Sequence, residues 1–227
     1  KDSFTYVALD PSGNVSDEAT VSVRIEKADT KVTYADMAGN SAYKAAIRLA
    51  EEGIYVGKYV DGQYFFCPDQ TVSRAEFLTM AMAAAGMEPL EDVTLTGFAD
   101  DEAIPTWAKA YAAAGVADGI VQGKTTAQGA AFQGEEPITF NEAATVLNRM
   151  LNLGDVELDV WYADREAVPS WAAQAVGNME AVSVLAAGSF GSAAMGENVT
   201  RADAAQMLSA AGTLLEGEPA GLFDWLL

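Results

Sequence analysis

"FADDEAIPTWAKAYAAAGV" at residues 98–116 and "YADREAVPSWAAQAVGNM" at residues 162–179 are the same phrase written twice. Asp100 and Asp164 stand 64 residues apart, as do Pro105 and Pro169, and Trp107 and Trp171. A further step of 64 towards the N-terminus lands on Asp36 in "YADMAGNSAYKAAIRLAEEG", where Tyr34 replaces the opening Phe and Tyr43 replaces the Trp. The spacing predicts three copies of one unit, the first the most diverged.

A genuine repeat agrees at a second, independent place. About 40 residues into each unit stand "VSRAEFLTMAMAAAG", "ITFNEAATVLNRMLNL" and "VTRADAAQMLSAAGTLL". In each, a hydroxyl residue (Ser73, Thr139, Thr200) precedes an acid (Glu76, Glu142, Asp203) by three positions. That pattern is the capping box, in which the hydroxyl accepts from the fourth residue's amide and the acid reaches back to the cap amide. Behind the caps, apolar residues recur at helical spacing: Phe77, Met80, Ala81 and Ala84, then Ala143, Val146, Leu147 and Met150, then Ala204, Met207, Leu208 and Ala211. Three matching stripes predict three helices sharing one core.

An earlier helix in each unit is expected to start near Pro105 or Pro169, since proline suits a first turn. Its counterpart in unit one runs through Tyr43 and Ile47. Glycine-punctuated loops join the two helices, with short extended pieces expected around Tyr64 to Phe66. Each unit therefore reads as helix, loop, capped helix. Ahead of them, Phe4, Tyr6 and Ala8, then Val21, Val23 and Ile25, alternate around a turn-rich "DPSGN", a pattern of two strands. A lone strand pair is marginally stable. The chain accordingly reads as opening inside a larger protein, within the last hairpin of a β-sandwich module.

Composition narrows the functional classes. The chain has 227 residues, half of them hydrophobic, which is enough to bury a substantial core. No apolar run reaches the roughly 18 residues a membrane-spanning helix needs. Thirteen Lys and Arg against 33 Asp and Glu give a net charge of −20, a field that repels DNA, RNA and anionic lipid. With no His, a single cysteine and no nucleophile motif, the chain does not read as an enzyme or as needing a cofactor. The acidic pairs Asp100/Asp101 and Glu135/Glu136 resemble glycosidase carboxylates only in type, because they fall at repeated structural positions or on loops. Cys67 is expected to be a small buried residue beside Phe66, with an interchain thiol as the rarer role. Asp10, Asn14 and Asp17 offer oxygen donors for Ca²⁺, although turn chemistry accounts for them without a metal.

The "F/Y-x-D" openings, the "P-x-W" pairs, the "GIxxG" turns at Gly53/Gly57 and Gly119/Gly123 and the "TRAE"-like caps together resemble S-layer homology repeats, from about Tyr34 to Leu215. The N-terminal hairpin resembles the end of a bacterial immunoglobulin-like or cadherin-like module. The resemblance implies a mainly α fold, a pseudo-threefold trefoil of three helix-loop-helix repeats around a central three-helix bundle. It implies boundaries at residues 1–27 for the β-module tail, 28–91, 92–155 and 156–215 for the repeats, and 216–227 for a C-terminal tail. It also implies an extracellular, non-catalytic anchor whose partner is a cell-wall polysaccharide, carrying a pyruvate ketal in several members, held in grooves between repeats. A structural module of a surface lattice, without glycan binding, is the alternative, and self-association is left open.

Residue chemistry supplies candidate contacts. Arg74 and Arg201 hold the first position of their capped helices, where free amides and the helix dipole favour an anion and a guanidinium suits a carboxylate. Pairing with surface acids is the competing role. Trp107 and Trp171 are expected mainly as core anchors, with an edge at a groove. Asp36, Asp100 and Asp164 are expected to cap local turns or the following helix, with ligand hydroxyls as a second role. Gly57 and Gly123 would let backbone approach a ligand closely. These nine residues are the candidate ligand-binding set, and no metal ligands are assigned. Unit two has Phe140 in place of the arginine, and unit three has Ser183 and Ala187 in place of two glycines. One or two competent grooves are expected, the first candidate being the unit that contains both Arg74 and Gly57.

Overall fold

A computed structural model describes residues 2–23, 32–158 and 168–217. Ile25 and Asp164, both singled out from the sequence, lie outside these residues. The chain divides after residue 31 into two compact units.

In the N-terminal unit, β1 (Asp2–Tyr6) pairs antiparallel with β2 (Ala19–Val23), Phe4 opposite Val21 and Tyr6 opposite Ala19. Asp10 organises the intervening loop. One carboxylate oxygen accepts from the Ser12 and Asn14 amides at 2.8 and 2.9 Å, and the other from the Asn14 side chain at 2.7 Å. The Asn14 side-chain bond, followed by its backbone bond, holds the Asp10 carboxyl below its usual range. The carboxylate proposed for Ca²⁺ is thus taken up by its own loop.

The second unit is mainly helical. The first unit's helix is α1 (Tyr43–Glu51), followed by the hairpin β3 (Lys58–Val60) and β4 (Gln63–Phe65) and the capped helix α2 (Arg74–Ala84). Asp61 and Gly62, both at positive φ, form the two-residue turn of that hairpin. The second copy runs α3 (Thr106–Ala117), β5 (Lys124–Thr126), β6 (Gly129–Ala131) and α4 (Phe140–Leu151). The third has α5 (Ser170–Ala181) and α6 (Arg201–Leu215), with a 3₁₀ turn at Ala193–Gly196 where its siblings have a hairpin. Pro105 and Pro169 sit at the N-cap of α3 and α5, one place before the first turn, and their carbonyls accept from Ala108 and Ala172.

All three capping boxes are formed in both directions: Ser73 with Glu76, Thr139 with Glu142 and Thr200 with Asp203. The stripes behind them are buried at Phe77, Ala81, Ala143, Leu147, Ala204 and Leu208, all within one core cluster. Ala84 and Met150, at the far ends of their stripes, are only half-buried. Each capped helix packs against the other two. Just before the caps, three backbone bonds close a ring. Val72 donates to the Val199 carbonyl at 3.0 Å, Val199 to that of Ile138 at 2.8 Å, and Ile138 to that of Val72 at 3.0 Å.

The helix pairs that pack are not those adjacent within a sequence unit. Helix α3 lies on α2, α5 on α4, and α1 returns to α6, so each early helix covers the capped helix of the preceding unit in cyclic order. The return contact is polar as well as apolar. Arg48 donates to the Ser209 carbonyl and the Thr213 hydroxyl, and its guanidinium pairs with Glu52 at 2.6 Å and Glu216 at 3.0 Å. Glycine at 212 makes room for it, since a Cβ there would meet the guanidinium at 3.3 Å.

Candidate functional site

The interlock creates two equivalent grooves. The first is a cavity of about 170 Å³ walled by Ile54 and Tyr55 of the unit-one loop, Glu76, Thr79 and Met80 of α2, Trp107 of α3 and Arg201 of α6. The second, about 650 Å³, repeats the set one unit on: Ile120 to Thr125 of the unit-two loop, Glu142, Thr145, Val146 and Arg149 of α4, Trp171 of α5 and Arg74 of α2. Each groove thus draws on three units, and its arginine comes from the unit before the one that supplies its loop. Arg74 accordingly lies with Gly123, not with Gly57, and the pairing expected within unit one does not form.

Each arginine meets the capping-box acid of the next unit. Glu142 gives one oxygen to the Thr139 amide at 3.1 Å and the other to Arg74 at 3.1 Å and Lys124 at 2.8 Å. Burial alone would raise the Glu142 carboxyl, but the Lys124 hydrogen bond and the Arg74 charge outweigh it and hold the group below its usual range. Arg74 also donates to the Phe132 carbonyl at 2.9 Å, so it is well satisfied.

Arg201 differs. Its nearest acid, Glu76, is 3.9 Å away, its Cζ lies 5.2 Å from the Tyr55 ring centroid, and its side chain is 8% exposed. Its Nη1 is buried with no hydrogen-bond partner, and so is the hydroxyl of Thr79 on the same cavity wall. An unsatisfied buried donor costs about 1–3 kcal/mol, more when charged, and most native polar groups avoid it. Both residues line the same cavity, with these two polar atoms sealed from solvent.

Several sequence expectations change in this light. The helix N-terminal amides are not free, because Arg74, Phe140 and Arg201 donate to the carbonyls of Glu136, Glu197 and Gln70 on the neighbouring unit. Any anion therefore meets side chains, not the helix end. Trp107 and Trp171 are 53% and 59% exposed, so they are groove walls and not core anchors. Asp36 accepts from the amides of Phe66 and Cys67 at 2.9 and 2.7 Å, and Asp100 from those of Phe132 and Gln133, both at 2.7 Å. These are clasps across some 30 residues, not local caps, and they hold Cys67 and Gln133 in left-handed conformation at φ +58 and +53. Neither aspartate lines a groove. Cys67, within that clasp, is half-buried and not fully buried.

The glycines serve the fold. At Gly57, φ +84, a Cβ would lie 2.5 Å from the Phe65 carbonyl oxygen; at Gly123, φ +74, it would lie 2.7 Å from Phe98 and 2.8 Å from the Ala131 carbonyl. Hairpin and opening aromatic occupy the space that a ligand was expected to use. The sequence reading also passed over Tyr55, Thr79, Lys124 and Arg149, all on groove walls. Their signal was faint: Thr79 and Thr145 match between units at one helical turn beyond the capping acid. Among the described residues, no group of three or more Cys, Asp or Glu could hold a metal, and no helix is long and apolar enough to cross a membrane.

The family model described as S-layer homology domain matches residues 33–78. The match takes in the opening aromatic, the Asp36 clasp, the first hairpin and the start of α2, and this segment is recognised as an S-layer homology domain. Such domains are non-catalytic modules of the cell surface that anchor proteins to the wall by binding secondary cell-wall polymers. No curated protein matches the chain.

Proposed function

We propose that residues 32–158 and 168–217 form a three-repeat trefoil that anchors the protein to an acidic cell-wall polysaccharide, gripped first in the groove of Arg201 and Trp107. The observation that carries this reading is the pair of unpartnered buried donors, Arg201 Nη1 and Thr79 Oγ1, on the wall of one cavity. A carboxylate, such as that of a pyruvate ketal, supplies acceptors for both once the two side chains turn toward the cavity, and the exposed Trp107 face offers a stacking surface to the sugar ring that bears it. Unit two has Phe140 where the other capped helices have arginine, so a third groove has no cation at that position.

Retention on isolated sacculi of the source organism, before and after extraction of wall-linked polysaccharide, tests the proposal. The intact chain is expected to be retained on unextracted sacculi and lost after extraction. Arg201→Ala is expected to lower retention by ten- to a hundredfold, the equivalent of one charge-assisted hydrogen bond. No retention on unextracted sacculi would leave the chain as a structural or protein-contact module of a surface protein.

A further inference from the structure

The two grooves share a plan but differ in charge. In the first, Arg201 is set against Glu76, which leaves no excess. In the second, Arg74 and Glu142 neutralise one another within the fold, and two further cations, Lys124 and Arg149, line the same cavity. Lys124 shares Glu142 with Arg74 and is nearly half exposed. Arg149 is exposed and, among the described residues, bonds only neutral groups, the Ile120 carbonyl at 3.2 Å and the Gln122 side-chain oxygen at 3.3 Å. The groove lining therefore carries three cations against one carboxylate, an excess of two positive charges in a chain of net charge −20.

Arg149 is not part of the repeated plan. It lies two turns beyond Glu142 on the groove face of α4, and the equivalent positions of α2 and α6 are Ala83 and Ala210. A cation placed at one groove alone, against the field of the rest of the molecule, attracts anions to that groove. A guanidinium fixed by two neutral acceptors keeps its remaining donors for bidentate capture.

We propose that the second groove takes a glycan segment bearing two neighbouring anionic groups, carboxylate or phosphate, held by Lys124 and Arg149, whereas the first groove takes a single one. This assignment rests on the anchoring reading and names the ligand class of its second site.

Titration calorimetry of the whole chain with galacturonate, digalacturonate, glucose 6-phosphate and glucose 1,6-bisphosphate tests it. At least one probe with two anionic groups is expected to bind about tenfold or more tightly than its one-group counterpart, as one added charge-assisted bond implies. Arg149→Ala is expected to abolish that preference, and Arg149→Lys to restore part of it. Because Arg149 is exposed, the substitution should leave the thermal transition in place, which is checked in the same samples. The probe whose affinity depends on Arg149 distinguishes carboxylate from phosphate. Equal affinity for probes with one and with two anionic groups, or a preference that survives Arg149→Ala, overturns the assignment, and Arg201-dependent retention on sacculi would stand regardless. Conversely, Arg149-dependent binding without retention on sacculi would overturn the anchoring reading alone.

Discussion

Arg74 and Arg201 occupy the same helix position in their units, yet the fold treats them differently. Arg74 is tied to Glu142 and to the Phe132 carbonyl, whereas Arg201 has a distant acid and an unpartnered nitrogen. Substitution should separate the two roles. Arg74→Ala strands a half-buried glutamate and a carbonyl and is expected to cost about 1–3 kcal/mol in urea unfolding. Arg201→Ala removes a nitrogen that has no partner, so it should cost less stability than Arg74→Ala while losing more retention on sacculi. Another residue gives a pH signature. Asp101 accepts from Lys109 at 2.6 Å and from the Thr96 hydroxyl and amide at 2.7 Å, and these bonds lower its carboxyl from 3.8 to about 2. A carboxyl depressed on folding stabilises the native state fully above its unfolded value, and that contribution fades as pH falls through the folded value. The difference in urea midpoint between the parent chain and Asp101→Asn should therefore be constant at neutral pH and shrink as pH drops from 3.8 toward about 2.

Among the elements, each hairpin is packed tightly against a glycine that precedes it, Gly57 or Gly123. Gly119 and Gly123 both have positive φ, but a Cβ at Gly119 meets nothing within 4 Å while one at Gly123 collides with Phe98 and Ala131. Gly119→Ala is expected to cost about 1–2 kcal/mol, the left-handed penalty alone. Gly123→Ala should exceed it clearly, read as a larger fall in melting temperature. Unit three, which has Ala187 at the matching position, carries a 3₁₀ turn in place of the hairpin. The helices were legible in the sequence because caps and stripes are local signals, written within one turn of the residues they organise. The Asp36 and Asp100 clasps were not, because an aspartate that caps its own turn and one that reaches amides some 30 residues on look alike in sequence. Trp107 and Trp171 misled for a related reason. Burial depends on which helix lies opposite, and α3 and α5 pack on the preceding unit, a pairing the order of the repeats does not state.

Across the second compact unit, the ring of Val72, Ile138 and Val199 joins positions more than 60 residues apart, and α1 closes on α6 through Arg48. No unit satisfies the first amide of its own capped helix, because the amides of Arg74, Phe140 and Arg201 each bond the next unit's carbonyl. A chain ended after residue 155 loses the Val199 acceptor, the seat of α1 and the cover of α4. It is expected to show no cooperative transition by circular dichroism, where the full chain is expected to show one for this unit. Open solenoids tolerate a lost or added repeat, since each copy needs only its neighbours and the ends are capped. A closed ring has no end at which to add or remove a member. Gene duplication could multiply this domain as a whole, but within it the copy number is locked at three, leaving substitution inside a copy, as at Phe140 and Arg149, as the route by which its grooves diverge.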